Sequence, residues 1–180
     1  ITLFPGVKEL LEDIRSRGIH VAIVSTGDHL IQEKKILVLH VRRGDYANAA
    51  DSFGLLGEDY YLEAIQKLKE KGLHWQEIWV FSDDIRRVKA EFRSSVSRSW
   101  VYVTPPTGSH SLETLLLMSR AEGIVIGNST FSFWAAALSN AKNIVRPSKW
   151  FKSMEDPADL HPPEWLTAES SWLGGGYSAD

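Results

Sequence analysis

Residues 36–46 read ILVLHVRRGDY, an apolar, β-branched run that ends abruptly in two arginines, a glycine and an aspartate. A short run of this kind is the pattern of a strand buried on both faces of a parallel sheet. It predicts a strand over Ile36–Arg42, and the period of two places His40 and Arg42 on the same side. Upstream, Ile19–Ser25 (IHVAIVS) is another such run, closed by Gly27. Before it, Val7, Leu10, Leu11 and Ile14 recur at helical spacing over Val7–Arg17, with Pro5 at the start and Gly18 at the cap. Downstream, Tyr61, Ala64, Ile65 and Leu68 predict a helix over Tyr60–Lys71 that Gly72 closes, followed by a strand over Glu77–Ser82. Glu91–Ser99 is polar and mixed. Beyond it come a strand over Trp100–Val103, a helix over Leu112–Arg120, a strand over Gly123–Gly127, a helix over Thr130–Leu138 and a last strand over Asn143–Val145.

Strands alternating with helices at this spacing imply an α/β fold, a Rossmann-like open parallel sheet with helices on both faces. Ligands of such sheets bind beyond the carboxyl ends of the strands. The chain of 180 residues, 43% hydrophobic and 24% charged, suffices for one buried core. A net charge of −3 gives no global cationic field, so nucleic acid is not an expected partner and any phosphate must meet a local basic cluster. The absence of cysteine excludes disulfides, thiolate catalysis and thiolate metal sites. No apolar run approaches the roughly 18 residues that span a bilayer, and Ile1–Gly6 lacks the basic opening of a signal peptide. No transmembrane segment is expected, and the expected location is the cytoplasm, its membrane periphery included. The Gly174–Gly176 run predicts a flexible tail over 174–180.

Three predicted strands end in polar clusters. The first offers His40, Arg42, Arg43 and Asp45; a guanidinium there presents a fixed fork of donors to a diphosphate, or else ties down the turn by pairing with Asp45. Arg43-Gly44-Asp45 also spells an adhesion tripeptide, but behind a buried strand rather than on an exposed loop. The second cluster offers Asp83 and Asp84, which could bind a divalent metal, accept from guanine or ribose donors, or cap the next helix. In the third, Asn128, Ser129, Thr130 and Phe131 open a helix, where backbone amides and hydroxyls suit a pyrophosphate or serve as a plain cap. Three such clusters at one sheet edge favour a nucleotide site over three separate caps.

In order along the chain, HVRRGDY at 40–46, FSDD at 81–84, LLLMSRAEGIVIGNSTFSFWAAAL at 115–138 and RPSKWF at 146–151 resemble the α-1,2-fucosyltransferases of glycosyltransferase family 11. With the later stretch around Trp165, the resemblance covers about residues 35–173. It implies the donor-binding half of a two-domain enzyme that transfers fucose, with inversion, from GDP-fucose to a galactoside hydroxyl, without metal or other cofactor. On that pattern Arg42 would meet the β-phosphate and stabilise the leaving GDP, with His40 beside the nucleotide. Asp83 or Asp84 would read guanine or ribose, Ser129 and Thr130 would hold phosphate oxygens, and Phe131 would lie near the base. Arg43, Asp45 and Asn128 complete the expected binding set. The family's Gly-Gly-x-Gly-Asn-Gln opening and long amino-terminal half have no match here, so the acceptor side is expected to be incomplete.

Residues 1–29 instead resemble a helix–strand piece of haloacid dehalogenase-like phosphatases, without the Asp-x-Asp pair that precedes it there. They are expected to complete the sheet, with Leu30–Lys35 as the junction to a GDP-sugar-binding domain over 30–173. Two competing functions follow, a Mg²⁺-dependent hydrolase of that second class and a folded fragment without activity. Acceptor sugar and oligomeric state are not readable.

Overall fold

The computed structural model describes residues 35–105 and 111–174. The predicted helix over Val7–Arg17, the strand over Ile19–Ser25 and nearly all of the predicted tail lie outside the described residues. The elements are β1 (Ile36–Val41), α1 (Glu58–Glu70), β2 (Glu77–Ser82), α2 (Ile85–Glu91), β3 (Val101–Tyr102), α3 (Ser111–Met118), β4 (Gly123–Val125), α4 (Thr130–Ala137), β5 (Asn143–Pro147) and β6 (Leu166–Ala168), with 3₁₀ turns at Asp45–Ala49 and Ser97–Ser99. The strands form one sheet in the order β3-β2-β1-β4-β5-β6, every pair parallel. This is the expected open α/β sheet.

All six residues of β1 are buried, which is why its sequence is apolar without alternation. Its two faces nonetheless enter different cores. Leu37, Leu39 and Val41 pack with Tyr60, Tyr61, Ile65 and Leu68 of α1 and Val88 of α2. Ile36 and Val38 pack with Met118 of α3 and Ala135 and Ala136 of α4. The strand order runs one way from β1 through β2 to β3 and the other way from β4 through β5 to β6. The covering helices change face with that change of direction, which keeps the crossovers of one hand. The chain therefore reverses between β1 and β4, the switch point at which ligands of open α/β sheets bind.

Two tyrosines of α1 brace that point. Tyr60 donates its hydroxyl to the Ile126 carbonyl at 2.6 Å and Tyr61 donates to the His40 carbonyl at 2.9 Å. Burial holds both phenols above their ordinary range, so both remain donors. Gly127 lets the ends of β1 and β4 close up, because a Cβ there would stand 2.8 Å from the His40 carbonyl oxygen. Gly72, at φ +81°, ends the turn behind α1 in the left-handed region that glycine adopts at little cost.

Of the observed elements, β6 has no counterpart in the sequence reading, and α2 has one only as the unbounded helix that Asp83 or Asp84 would cap. The α2 segment IRRVKAE holds only Ile85 and Val88 as large apolar residues, and β6 is a three-residue edge strand defined by its pairing to β5. Among the described residues no helix is long and apolar enough to cross a membrane.

Candidate functional site

The alternation that sends Leu39 and Val41 into the α1 core sends His40 and Arg42 to the α3/α4 side. There they line a cleft of about 200 Å³. Ser82 and Asp83 close it from the end of β2, Val103 and Pro105 from beyond β3, Ser111 and Thr114 from α3, and Phe131 from α4. Whole drug-sized ligands fill about 300–1,000 Å³, so these residues enclose room for one part of a nucleotide sugar.

Arg42 is the charged centre of the cleft. Its NH1 lies 3.1 Å from Asp83 Oδ2, and its NH2 donates to Asp45 Oδ1 at 2.5 Å. The guanidinium carbon lies 5.1 Å from the centre of the Tyr46 ring. Nε is buried and has no partner among the described residues. The Arg42 side chain is 25% exposed and that of Asp45 is 70% exposed, so the Asp45 contact is the weakly held one. Asp83 is better anchored, since its Oδ1 accepts the Arg43 amide at 2.8 Å. The two chain segments approach closely there, and a Cβ on Gly44 would run into the Asp83 carboxylate.

His40 is 3% exposed, with its ring 5.6 Å from that of Phe131 and its Nδ1 buried and without a partner among the described residues. Burial pushes its pKa down to about 4; Asp83 opposes that and Arg42 adds to it. At neutral pH it is an uncharged imidazole that can donate one hydrogen bond and accept another.

Four of the expected site residues, His40, Arg42, Asp83 and Phe131, thus come together at the cleft, and Asp45 reaches it through Arg42. Arg43 departs from the expected binding set. One residue on from Arg42, it falls on the other face, is wholly buried, and spends Nε on Glu91 Oε2 (2.6 Å), NH1 on the Arg42 carbonyl (2.8 Å) and NH2 on the Leu56 carbonyl (2.9 Å). Asp84 caps α2 by accepting the Arg87 amide at 3.0 Å. Asn128 is buried, and its side-chain nitrogen donates to the carbonyls of Phe53, Gly54 and Trp150, which ties two loops together behind the switch point. Ser129 is buried at the start of α4 and makes no side-chain cap bond, whereas Thr130 is exposed beside it. Among the described residues no group of three or more His, Asp or Glu side chains gathers as a metal site. Val103, Pro105, Ser111 and Thr114 line the cleft without having been singled out in the sequence. The only signal available for them was position, just beyond a strand and on the helix that follows.

The family model described as "Glycosyl transferase family 11" matches residues 8–169. The chain belongs to glycosyltransferase family 11. That match takes in residues 8–29 as well as the stretch from 35 onward. Two Escherichia coli relatives are each 35% identical to it: an α-1,2-colitosyltransferase, aligned over 73% of this chain and 47% of the relative, and the O-antigen biosynthesis glycosyltransferase WbnK, aligned over 71% and 43%. The chain therefore spans about half the length of the curated relatives it matches. Crystal structures of NodZ α-1,6-fucosyltransferase are more distant. The one soaked with GDP-fucose has 18% identity and a TM-score of 0.42 over 81% of this chain and 49% of that one; the one co-crystallised with GDP has 20% and 0.40.

Proposed function

We propose that this family 11 chain is the donor-binding half of a fucosyltransferase, holding GDP-fucose for α-1,2 transfer of fucose to a galactoside hydroxyl. The observation that supports it most directly is Arg42: a guanidinium at the carboxyl end of β1, at the sheet's switch point, facing a cleft beside a neutral histidine. In such a transfer the acceptor hydroxyl gives up its proton to a base and its oxygen bonds to the anomeric carbon, while the bond from that carbon to the β-phosphate oxygen breaks. The electron pair leaves with GDP. Charge grows on the diphosphate, and a fixed guanidinium stabilises it more in the transition state than in the ground state. Arg42 supplies that cationic charge with no metal assigned. Of its two carboxylate partners, the exposed Asp45 is the one a diphosphate oxygen would displace, and the anchored Asp83 would keep the fork aimed. The uncharged His40 and the Phe131 ring would bound the nucleotide, and the α4 start at Ser129 and Thr130 would offer donors to its phosphates.

One of the Escherichia coli relatives is a colitosyltransferase, and a nucleoside-diphosphate donor carrying colitose in place of fucose would use the same diphosphate contacts. Calorimetric titration of the full chain with GDP, GDP-fucose and UDP tests the assignment. Binding of GDP and GDP-fucose in preference to UDP is expected, and equal affinity for UDP and GDP would remove the guanine assignment.

A further inference from the structure

The second arginine of the β1 end is wholly buried, yet its contacts converge on atoms that orient the first. Arg43 NH1 holds the Arg42 carbonyl, and the Arg43 amide holds Asp83, whose other oxygen faces Arg42 NH1. Its Nε is fixed by Glu91 Oε2, and the Glu91 side chain, only 5% exposed, accepts from Arg87 Nε through its second oxygen at 2.7 Å. The Phe92 ring centre lies 5.7 Å from the guanidinium carbon. Burying an ion pair carries a desolvation cost, and apolar side chains of similar volume fill space at least as well. What the guanidinium adds is direction, with three donors in one plane set against three fixed acceptors.

We propose that Arg43 and Glu91 form a buried positioning pair, which fixes the peptide that follows Arg42 and so aims the Arg42 guanidinium into the cleft. The pair touches no ligand itself and rests on the donor-site reading above. Holding the Arg42 carbonyl sets the direction in which the Arg42 side chain leaves the backbone, and holding the Leu56 carbonyl closes the loop between β1 and α1 around it. A lysine at 43 could satisfy only part of this arrangement.

Arg43→Ala would leave Glu91 with Arg87 as its remaining cation, empty the space of a wholly buried side chain and strip the Arg42 and Leu56 carbonyls of their donor; it is unsuitable, because such a variant is expected to lose its fold. Glu91→Gln and Arg43→Lys are the informative changes, made in the full chain and checked by thermal unfolding. Each is titrated with GDP and with GMP, and Glu91→Gln is repeated in an Arg42→Ala background. Both single variants should weaken GDP by about fivefold or more while leaving GMP unchanged, and the Glu91→Gln effect should vanish once Arg42 is gone, because residues in one network couple. Equal losses for GDP and GMP, or a full Glu91→Gln effect without Arg42, would overturn the proposal. A second readout needs no nucleotide: the Nε–H resonance of Arg42, buried in this structure, should lose its protection from solvent exchange in both variants. An unchanged resonance overturns the positioning role. Failure of the parent chain to bind GDP would count against the donor site, and this resonance would still decide the positioning role.

Discussion

Replacing His40 by phenylalanine removes the buried imidazole while keeping an aromatic ring beside Phe131, and the consequence should appear in stability as a function of pH. In the folded chain His40 takes up its proton near pH 4, because burial disfavours the charged ring. In the unfolded chain it does so near its ordinary 6.5. Between those values the unfolded state binds more protons, so His40's contribution is fully present above pH 6.5, declines as pH falls through the window and is gone below about 4. The interval from 6.5 to about 4, at about 1.36 kcal/mol per pH unit, corresponds to about 3 kcal/mol. That is a sizeable fraction of the 5–15 kcal/mol, roughly, that holds an ordinary domain together. Urea unfolding from pH 7.5 to 3.5 on parent and His40→Phe measures it. His161 is also held down to about 4, by burial with Arg146 adding, and titrates in the same window in both proteins, so the difference between the curves isolates His40. The parent should lose about 3 kcal/mol more than the variant. Parallel curves, or a His40 ring signal titrating near 6.5, would refute the reasoning.

Gly127→Ala should destabilise the chain by about 1–3 kcal/mol, as overpacking of a closed core does, because its Cβ would press on the His40 carbonyl; a denaturation midpoint equal to the parent's would show that β1 and β4 can part freely. Tyr61→Phe deletes the donor to that same carbonyl and should cost about 1–3 kcal/mol, the penalty of a buried acceptor left unsatisfied. No loss in urea unfolding would show that the carbonyl finds another partner.

The sheet was legible because its strands are buried on both faces, and such strands advertise themselves by composition; β1 is the clearest case. The period of two then carried His40 and Arg42 to one side without any knowledge of the helices. The same period would have sent Arg43 to the other side, but its fate depended on Glu91, which sits at the end of a seven-residue helix with too few apolar positions to be seen. Asn128 is a similar case. Its acceptors at Phe53 and Gly54 lie 75 and 74 residues away, and no local pattern encodes a contact across that distance. Thr114 sat within the helix read over Leu112–Arg120 and Ser111 one residue before it, at what proves to be its first position, yet which side of that helix borders the cleft is decided by how α3 lies against the sheet. Asp84 turned out to be the helix cap that remained open alongside ligand binding, since capping is local chemistry and the side chain needs only the amide three residues on.

The claim that matters most is that the Arg42 fork holds a nucleotide's diphosphate, and calorimetry of GDP against parent, Arg42→Ala and Arg42→Lys measures it directly. Loss of a charged hydrogen bond is expected to weaken GDP binding by about 1.5–3 kcal/mol in Arg42→Ala, with only partial recovery in Arg42→Lys, since an ammonium cannot reproduce the fork. A folded Arg42→Ala chain that bound GDP as tightly as the parent would contradict the account and leave Arg42 as a turn residue paired with Asp45 and Asp83.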